Sequence, residues 1–412
     1  MAGIGVVGAG VSSLHLGLYL QAHDVPVTIY ADKTAEQIAD GRLLNTVAHH
    51  HHTLERERAL GVHHWDVAEH GYVCHHHFIS GPDVAFQGDF DHPSMCIDYR
   101  LYLPRLMADF QERGGDLDVG PTLEAADVER LSADHALMVV AVGRGSIGGM
   151  FRRRPEKSPY DRPQRRLCAG LYHGIAPTEP RGVSFCIAPG HGELLELPLL
   201  TREGHATALL FENIPGGETE RLVDMSVEDD VAGFERAVLE TVRQHYGWVA
   251  DRIDPSSFRL MGPEDVLQGA LTPVVREDYT QLSSGKFALA MGDTHVVVDP
   301  IIGQGANSAS YSAWMVGEAI VTDLVYDERF CRSVARAREE RVMGISDWTN
   351  IMLNPPQHVL GLLMAMAENR ELCDAFSGNW DRPERNLEAL ASPERTNAFM
   401  ARHTAGSPAL AA

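Results

Sequence analysis

This chain has no run of roughly 18 to 20 uninterrupted apolar residues, the length a helix needs to cross a bilayer, and its start lacks the basic segment of an export signal. Both absences point to the cytoplasm. Basic residues are scarce, with 35 Lys and Arg against 57 Asp and Glu. The resulting charge of −22 argues against nucleic acid and anionic membranes as partners, because neither attracts a strongly acidic surface. The six cysteines (Cys74, Cys96, Cys168, Cys186, Cys331 and Cys373) are scattered without a C-x-x-C pair. That reads as reduced thiols in a cytosolic protein. There is no internal repeat and no low-complexity linker. What remains is a 412-residue chain, 44% hydrophobic, long enough to bury a large core in two or three structural units.

Two glycine-rich signatures stand almost the whole chain apart. The first, Val6-Val7-Gly8-Ala9-Gly10-Val11-Ser12-Ser13, follows an apolar strand from Ile4 and opens a helix whose stripe includes Leu14, Leu18 and Ala22. Glycines there let the backbone turn tightly and approach a pyrophosphate, whose charge the helix N-terminal amides stabilise. Two positions depart from the usual pattern. Ser13 stands where a third glycine would ease packing. Ala31 replaces the acidic residue expected after the second strand, with Asp32 one position late, which predicts a loosened hold on the adenosine ribose.

In the second signature, Phe287 to Met291 form a buried strand that delivers Gly292-Asp293 to its C-terminal end, where ligands bind open α/β sheets. Asp299-Pro300 and Gly303-Gln304-Gly305-Ala306-Asn307 then open a helix through Ala309, Ala313, Val316 and Ile320. The two signatures together are far more specific than either alone.

Between them the organisation looks discontinuous. A first βαβ unit occupies residues 1–67, and an excursion rich in histidine, aromatics and β-formers spans 68–95. A helix from Tyr99 to Arg113 and a buried run over 136–142 return to the first unit. Alternating strands over 168–261 close with a helix near Val231 to Tyr246. The chain beyond 310 is largely helical, with breaks at Pro355-Pro356 and Pro383.

With Asp293 and Pro300 in place, the chain resembles the flavoprotein aromatic monooxygenases of the hydroxybenzoate-hydroxylase type. Further stretches are similar to the epoxidase component of two-component styrene monooxygenases: Arg42-Leu43-Leu44-Asn45-Thr46-Val47-Ala48-His49, Asp98-Tyr99-Arg100, Gly190-His191-Gly192-Glu193-Leu194 and Asp299 to Asn307. The resemblance implies an α/β fold: a Rossmann-like FAD-binding domain (1–67, 96–167 and 262–345), an inserted β-rich substrate domain (68–95 and 168–261) and a helical C-terminal region (346–412).

It also implies an activity: epoxidation of styrene to styrene oxide by O2 through a flavin C4a-hydroperoxide. Single-component relatives carry an Asp-Gly motif after the central strand. Here the stretch is Val140-Ala141-Val142-Gly143-Arg144-Gly145, without the aspartate, and there is no second dinucleotide signature. The expectation is therefore reduced FAD supplied by a separate NADH-dependent flavin reductase, a small aromatic alkene as substrate, and a homodimer left open. An indole monooxygenase, whose product leads to indigo, is the alternative within the family. A halogenase is disfavoured because no two tryptophans lie two residues apart, so W-x-W-x-I-P is absent. A non-catalytic binding module is disfavoured because both halves of the FAD site are present.

The residues the resemblance assigns are these. Asn45, Pro300 and Ile301 stand at the reacting centre. FAD is held by Gly8, Gly10, Ser12, Ser13, Arg42, Asn45, Arg100, Asp293, Pro300, Gly303, Gln304, Gly305, Ala306 and Asn307. Arg42 and Arg100 are chosen as cations that suit anionic groups, against the plainer reading of surface ion pairs. Asn45, Val47, His49, Tyr72, His75 and Ser94 match the styrene rather than the indole set of pocket residues. The histidine runs His49 to His52 and His75 to His77 match no standard ligand spacing, so no metal is expected.

Overall fold

The computed structural model describes residues 3–143 and 146–404. Arg144 and Gly145 of the glycine stretch lie outside these. Four fully buried residues, Ile4–Val7, form the centre of a six-stranded sheet, flanked in parallel by Val27–Ala31 and Leu137–Val140. The order continues outward to Asp116–Val119 on one side and to Phe287–Ala290 and Tyr279–Gln281 on the other, the last strand alone antiparallel. Apolar runs this continuous suit a sheet covered on both faces. The helices Val11–Ala22 and Gly305–Thr322 pack together on one face, so both glycine signatures open onto the same end of the sheet.

A nine-stranded, mostly antiparallel sheet stands beside it. Its strands Arg166–His173, Gly182–Ala188, Gly192–Thr201 and Gly204–Asn213 form ladders in which alternate residues face opposite ways. On Gly204–Asn213, Leu209 and Phe211 pack under the amphipathic helix Val231–His245, with its Phe234, Val238 and Val242. Ala208 and Leu210 face the other side, toward the first sheet. The histidine-rich strand Tyr72–Ile79 and the long strand Val84–Ile97 complete the sheet as the expected excursion from the first unit.

The strands do not respect the expected boundaries. Val47–His49 and Val266–Ala270, placed with the FAD-binding segments, are hydrogen-bonded into the nine-stranded sheet, at 95–97 and 166–170. Each lies where the chain crosses between the sheets, and a free edge partner captures it. The boundary at 345/346 falls inside the helix Glu328–Leu353, which runs on because Val342, Ile345, Trp348 and Leu353 continue one buried stripe. Pro355 and Pro356 then separate it from Gln357–Glu368.

Candidate functional site

Between the two sheets lies a cavity of about 790 Å³. One end is the turn Val7 to Ser12. Gly8 has φ +105°, and a Cβ there would stand 2.4 Å from the Ala141 carbonyl oxygen. Only glycine fits that turn. The helix Val11–Ala22 begins at Gly10 with no side-chain cap, and Gly305–Thr322 begins at Gln304 likewise. Both therefore offer unsatisfied amides and positive dipole ends at the cavity, the donors a pyrophosphate and an electron-rich ring edge require.

Asp293 and Gly292 border the middle, with Ser12 beside Gly292. Asn45, Val47, Pro300, Gly303, Gly305 and Ala306 line the far part, closed by Leu167, Ala169 and Leu210 from the nine-stranded sheet. A glycine cradle, free helix termini and an apolar wall suit a flavin dinucleotide. Ala31 and Asp32 both reach the cavity wall, so the late acidic residue is at hand, though not on the strand itself.

Several predicted residues frame the cavity without lining it. Asn307 is fully enclosed; its Nδ2 donates to Ala48 O (2.9 Å) and Gly303 O (3.1 Å), and its Oδ1 accepts from His50 N (2.9 Å) and Thr53 Oγ1 (2.8 Å). Gln304 Nε2 donates to Trp380 O (2.7 Å), and Trp380 Nε1 donates back to Ile302 O (3.0 Å). The loop carrying Pro300 is thus tied to the C-terminal helices. Ile301 turns into the core with Trp348, and Ser13 is buried within its helix.

The two arginines part company. Arg42 makes an exposed ion pair with Glu228 and stands outside the cavity lining. Arg100 is buried, donating to Asp98 Oδ2 and Asp265 Oδ1 (both 2.6 Å). Burial opposes its charge, but the two carboxylates carry its pKa above the ordinary value. Arg100 thereby pins the helix Tyr99–Glu112 to the strand Val266–Ala270, whose residues Leu267 to Ala270 do line the cavity.

Of the substrate set, Asn45 and Val47 border the cavity. Tyr72, His75 and Ser94 lie behind it in an aromatic box, with the His75 ring 4.3 Å from Trp380, 4.5 Å from Phe90 and 4.8 Å from Phe185. Burial holds His75 well below the ordinary histidine pKa, so it is neutral. An adjoining void of about 10 Å³ beside Ser94 and Trp380 has room for no more than one water. These three residues shape the backing of the site.

Sequence reasoning passed over Tyr99, which lines the cavity, and Glu57, which binds His49 behind it. A glutamate in a helix with strongly polar neighbours gives no sign of being 1% exposed. A second buried acid, Glu212, lies next to Asp299; desolvation and the Asp299 charge raise its pKa well above normal, so it is protonated. Among the described residues one trio, His191, Glu218 and His245, brings potential ligand atoms within 4.8 Å of one another, away from the cavity lining.

Comparison with known proteins places this geometry. Residues 143–252 match the family model "Styrene monooxygenase A putative substrate binding domain". Two curated relatives, styrene monooxygenase StyA from Pseudomonas fluorescens and from another Pseudomonas, are each 42% identical over 95% of this chain and 96% of their own. Solved structures share the fold at low identity. A flavoprotein/dehydrogenase from Cytophaga hutchinsonii has TM-score 0.68 at 12% identity, covering 99% of this chain and all of its own. The probable FAD-dependent monooxygenase PqsL from Pseudomonas aeruginosa has TM-score 0.59 at 13% identity, covering 97% and 99%.

Proposed function

This chain belongs to the styrene monooxygenase family, and from that premise we propose that it is the oxygenase component of a two-component system, epoxidising styrene with O2 and reduced FAD. One observation carries the reading: a single cavity runs from the uncapped glycine turn at Gly8 to Ser12, past Asp293, to Asn45 and Pro300 under an apolar wall. The balance is FADH2 + O2 + alkene giving FAD + epoxide + water. FAD, when bound, supplies the electrons and activates the oxygen.

The protein's own residues orient and shield. Gly8, Gly10 and Ser12 take the pyrophosphate end, Asp293 the ribityl region, and the Gly305 helix start the electron-rich ring edge. Pro300 and Asn45 border the reacting face, and Asn45 offers a donor and an acceptor without a charge that would move a proton there. Leu167, Ala169, Leu210 and Val47 exclude water, which would divert the oxygen to hydrogen peroxide.

The six cysteines are all free and buried, and no helix among the described residues is long and apolar enough to cross a membrane. On this proposal the chain acts beside a separate NADH-dependent reductase that delivers the reduced FAD. The test supplies FAD reduced by other means, with O2 and styrene and no NADH. Styrene oxide is the expected product; its absence, or a decisive preference for indole, overturns the reading.

A further inference from the structure

Behind Tyr99 lies a chain of buried polar groups that flavin binding does not use. Tyr99 lines the cavity, and its Oη is 3.1 Å from His49 Nε2. The other ring nitrogen of His49, Nδ1, is 2.7 Å from Glu57 Oε1. Both His49 and Glu57 are enclosed, with side chains 0% and 1% exposed. Tyr102 Oη also donates to Glu57 Oε1 (2.8 Å) and sits 2.7 Å from His15 Nε2. On the outer side, His63 Nδ1 stands 3.7 Å from Glu57 Oε2 and its side chain is partly exposed.

A carboxylate, an imidazole and a hydroxyl in this order orient the ring and let it accept the hydroxyl proton, because the carboxylate stabilises the imidazolium that forms. An isolated buried carboxylate would be costly. Burial alone would raise the Glu57 pKa, but the neighbouring rings of His49, His63 and His15 outweigh it and hold it well below the carboxylate range. The carboxylate is therefore ionised and faces a ring whose far nitrogen points at Tyr99. Other charges near these groups are Arg56, toward His15 and Glu57, Asp109, toward Tyr102, and Asp293, toward Tyr99.

We propose that Tyr99, His49 and Glu57 form a proton-holding triad for the cavity, taking one proton from reduced flavin as it binds and returning it to the oxygen that leaves as water. In the first step Tyr99 passes its hydroxyl proton to His49 Nε2 and takes one from the acidic reduced flavin. The Tyr99 O–H bond is broken and remade, an N–H bond forms on His49 as one N–H bond of the reduced flavin ring breaks, and no electron moves. The reverse step delivers the proton, and over a turnover nothing is left on the triad, in agreement with the balance above. Tyr99 is the group that meets the ligand; His49 and Glu57 act through it.

The proposal rests on the flavin reading but not on the identity of the alkene. The test binds reduced FAD to the full-length protein without oxygen, on the acid side of the free cofactor's own ionisation, in weak buffer with an indicator dye. The parent is expected to show the spectrum of the anionic reduced flavin with no proton released to the dye. Glu57→Gln and Tyr99→Phe are expected to keep the neutral spectrum, and their epoxidation rate to fall by about 100-fold. If Glu57→Gln does not fold, Tyr99→Phe, which loses only the hydroxyl facing His49, decides. A neutral spectrum in the parent, or an anionic one in Tyr99→Phe, overturns the triad. A protein that shows the expected spectra yet leaves styrene untouched loses its substrate assignment and keeps the triad.

Discussion

The two ends of the cavity hold by different means. At Gly8 to Ser12 the backbone does the work: a positive-φ glycine, an uncapped helix and a turn pressed against Ala141. At Asp299 to Asn307 side chains do it, through Asn307, Gln304 and Trp380, whose partners come from residues 48–53 and 380. The first end tolerates any sequence that keeps the geometry. The second depends on a polar network, and buried His50, whose N–H donates to Asn307, together with His15, whose ring reaches Ser310 Oγ from the first helix at 3.1 Å, makes it the acid-sensitive end.

That asymmetry makes acid the largest expected perturbation. Burial lowers the pKa of His15 to about 4 and of His50 to about 3 from 6.5. Both folded values lie below the unfolded one, so the unfolded chain binds more protons as pH falls. The stability from keeping both rings neutral is complete above about 6.5 and is lost on the way down toward 4. Each ring costs about 1.4 kcal/mol per pH unit, so roughly 4 kcal/mol disappears between pH 6.5 and 5. Urea unfolding across that window checks the slope. Buried His75 and His77 titrate in the same direction, so His15→Gln should remove one ring's share of the slope, about 1.4 kcal/mol per pH unit, and a profile it leaves unchanged would take His15 out of the acid response.

Next comes Gly8→Val. A branched side chain at φ +105° within 2.4 Å of Ala141 O is expected to cost about 3 kcal/mol and to abolish detectable FAD binding. Flavin fluorescence titration with thermal unfolding reads both. Near-parental binding would mean that the first end is not geometry-limited.

Asn307→Ala attacks the other end. It strips four hydrogen bonds and leaves the enclosed His50 N–H without its acceptor, at a cost of about 2 kcal/mol. Calorimetry should show the loss. FAD binding should weaken less than in Gly8→Val, because the pyrophosphate turn stays intact. Asn307→Asp, which keeps the acceptor, should recover part of the stability; equal losses in both variants would show that the network is not what holds this end.

Legibility in the sequence follows the same division. Gly8, Gly10, Asp293, Pro300 and Gly305 could be read because backbone geometry and strand ends write themselves into local sequence, and each lines the cavity. The helix over Tyr99–Glu112 and the strand Phe287–Ala290 were readable for the same reason. Partnerships across the fold were not. Arg42 and Arg100 look alike in sequence, yet one faces solvent beside Glu228 while the other is clamped between Asp98 and Asp265, the latter 165 residues away. His49 reads as a pocket residue until Tyr99 is found in front of it. Tyr72, His75 and Ser94 share the right sheet, but which of its faces meets the cavity depends on how the two sheets pack.

The smallest expected effect tests the weak point of the first end. Ala31 stands where an acidic side chain would take the adenosine ribose hydroxyls, and Asp32 reaches the same wall from the rim, its Oδ2 accepting from Thr122 Oγ1 at 3.4 Å. If Asp32 already supplies that contact, Ala31→Glu adds a like charge beside it and gains nothing. If it does not, one new hydrogen bond to an ionised acceptor is worth about 1.5 kcal/mol, roughly a tenfold tightening. The long Asp32–Thr122 contact leaves the ribose position unclaimed, so the expected result is tighter binding of oxidised FAD and slower release of it, read by fluorescence. An unchanged or weakened affinity would assign the ribose to Asp32 and make the two ends of the cavity more alike than their geometry suggests.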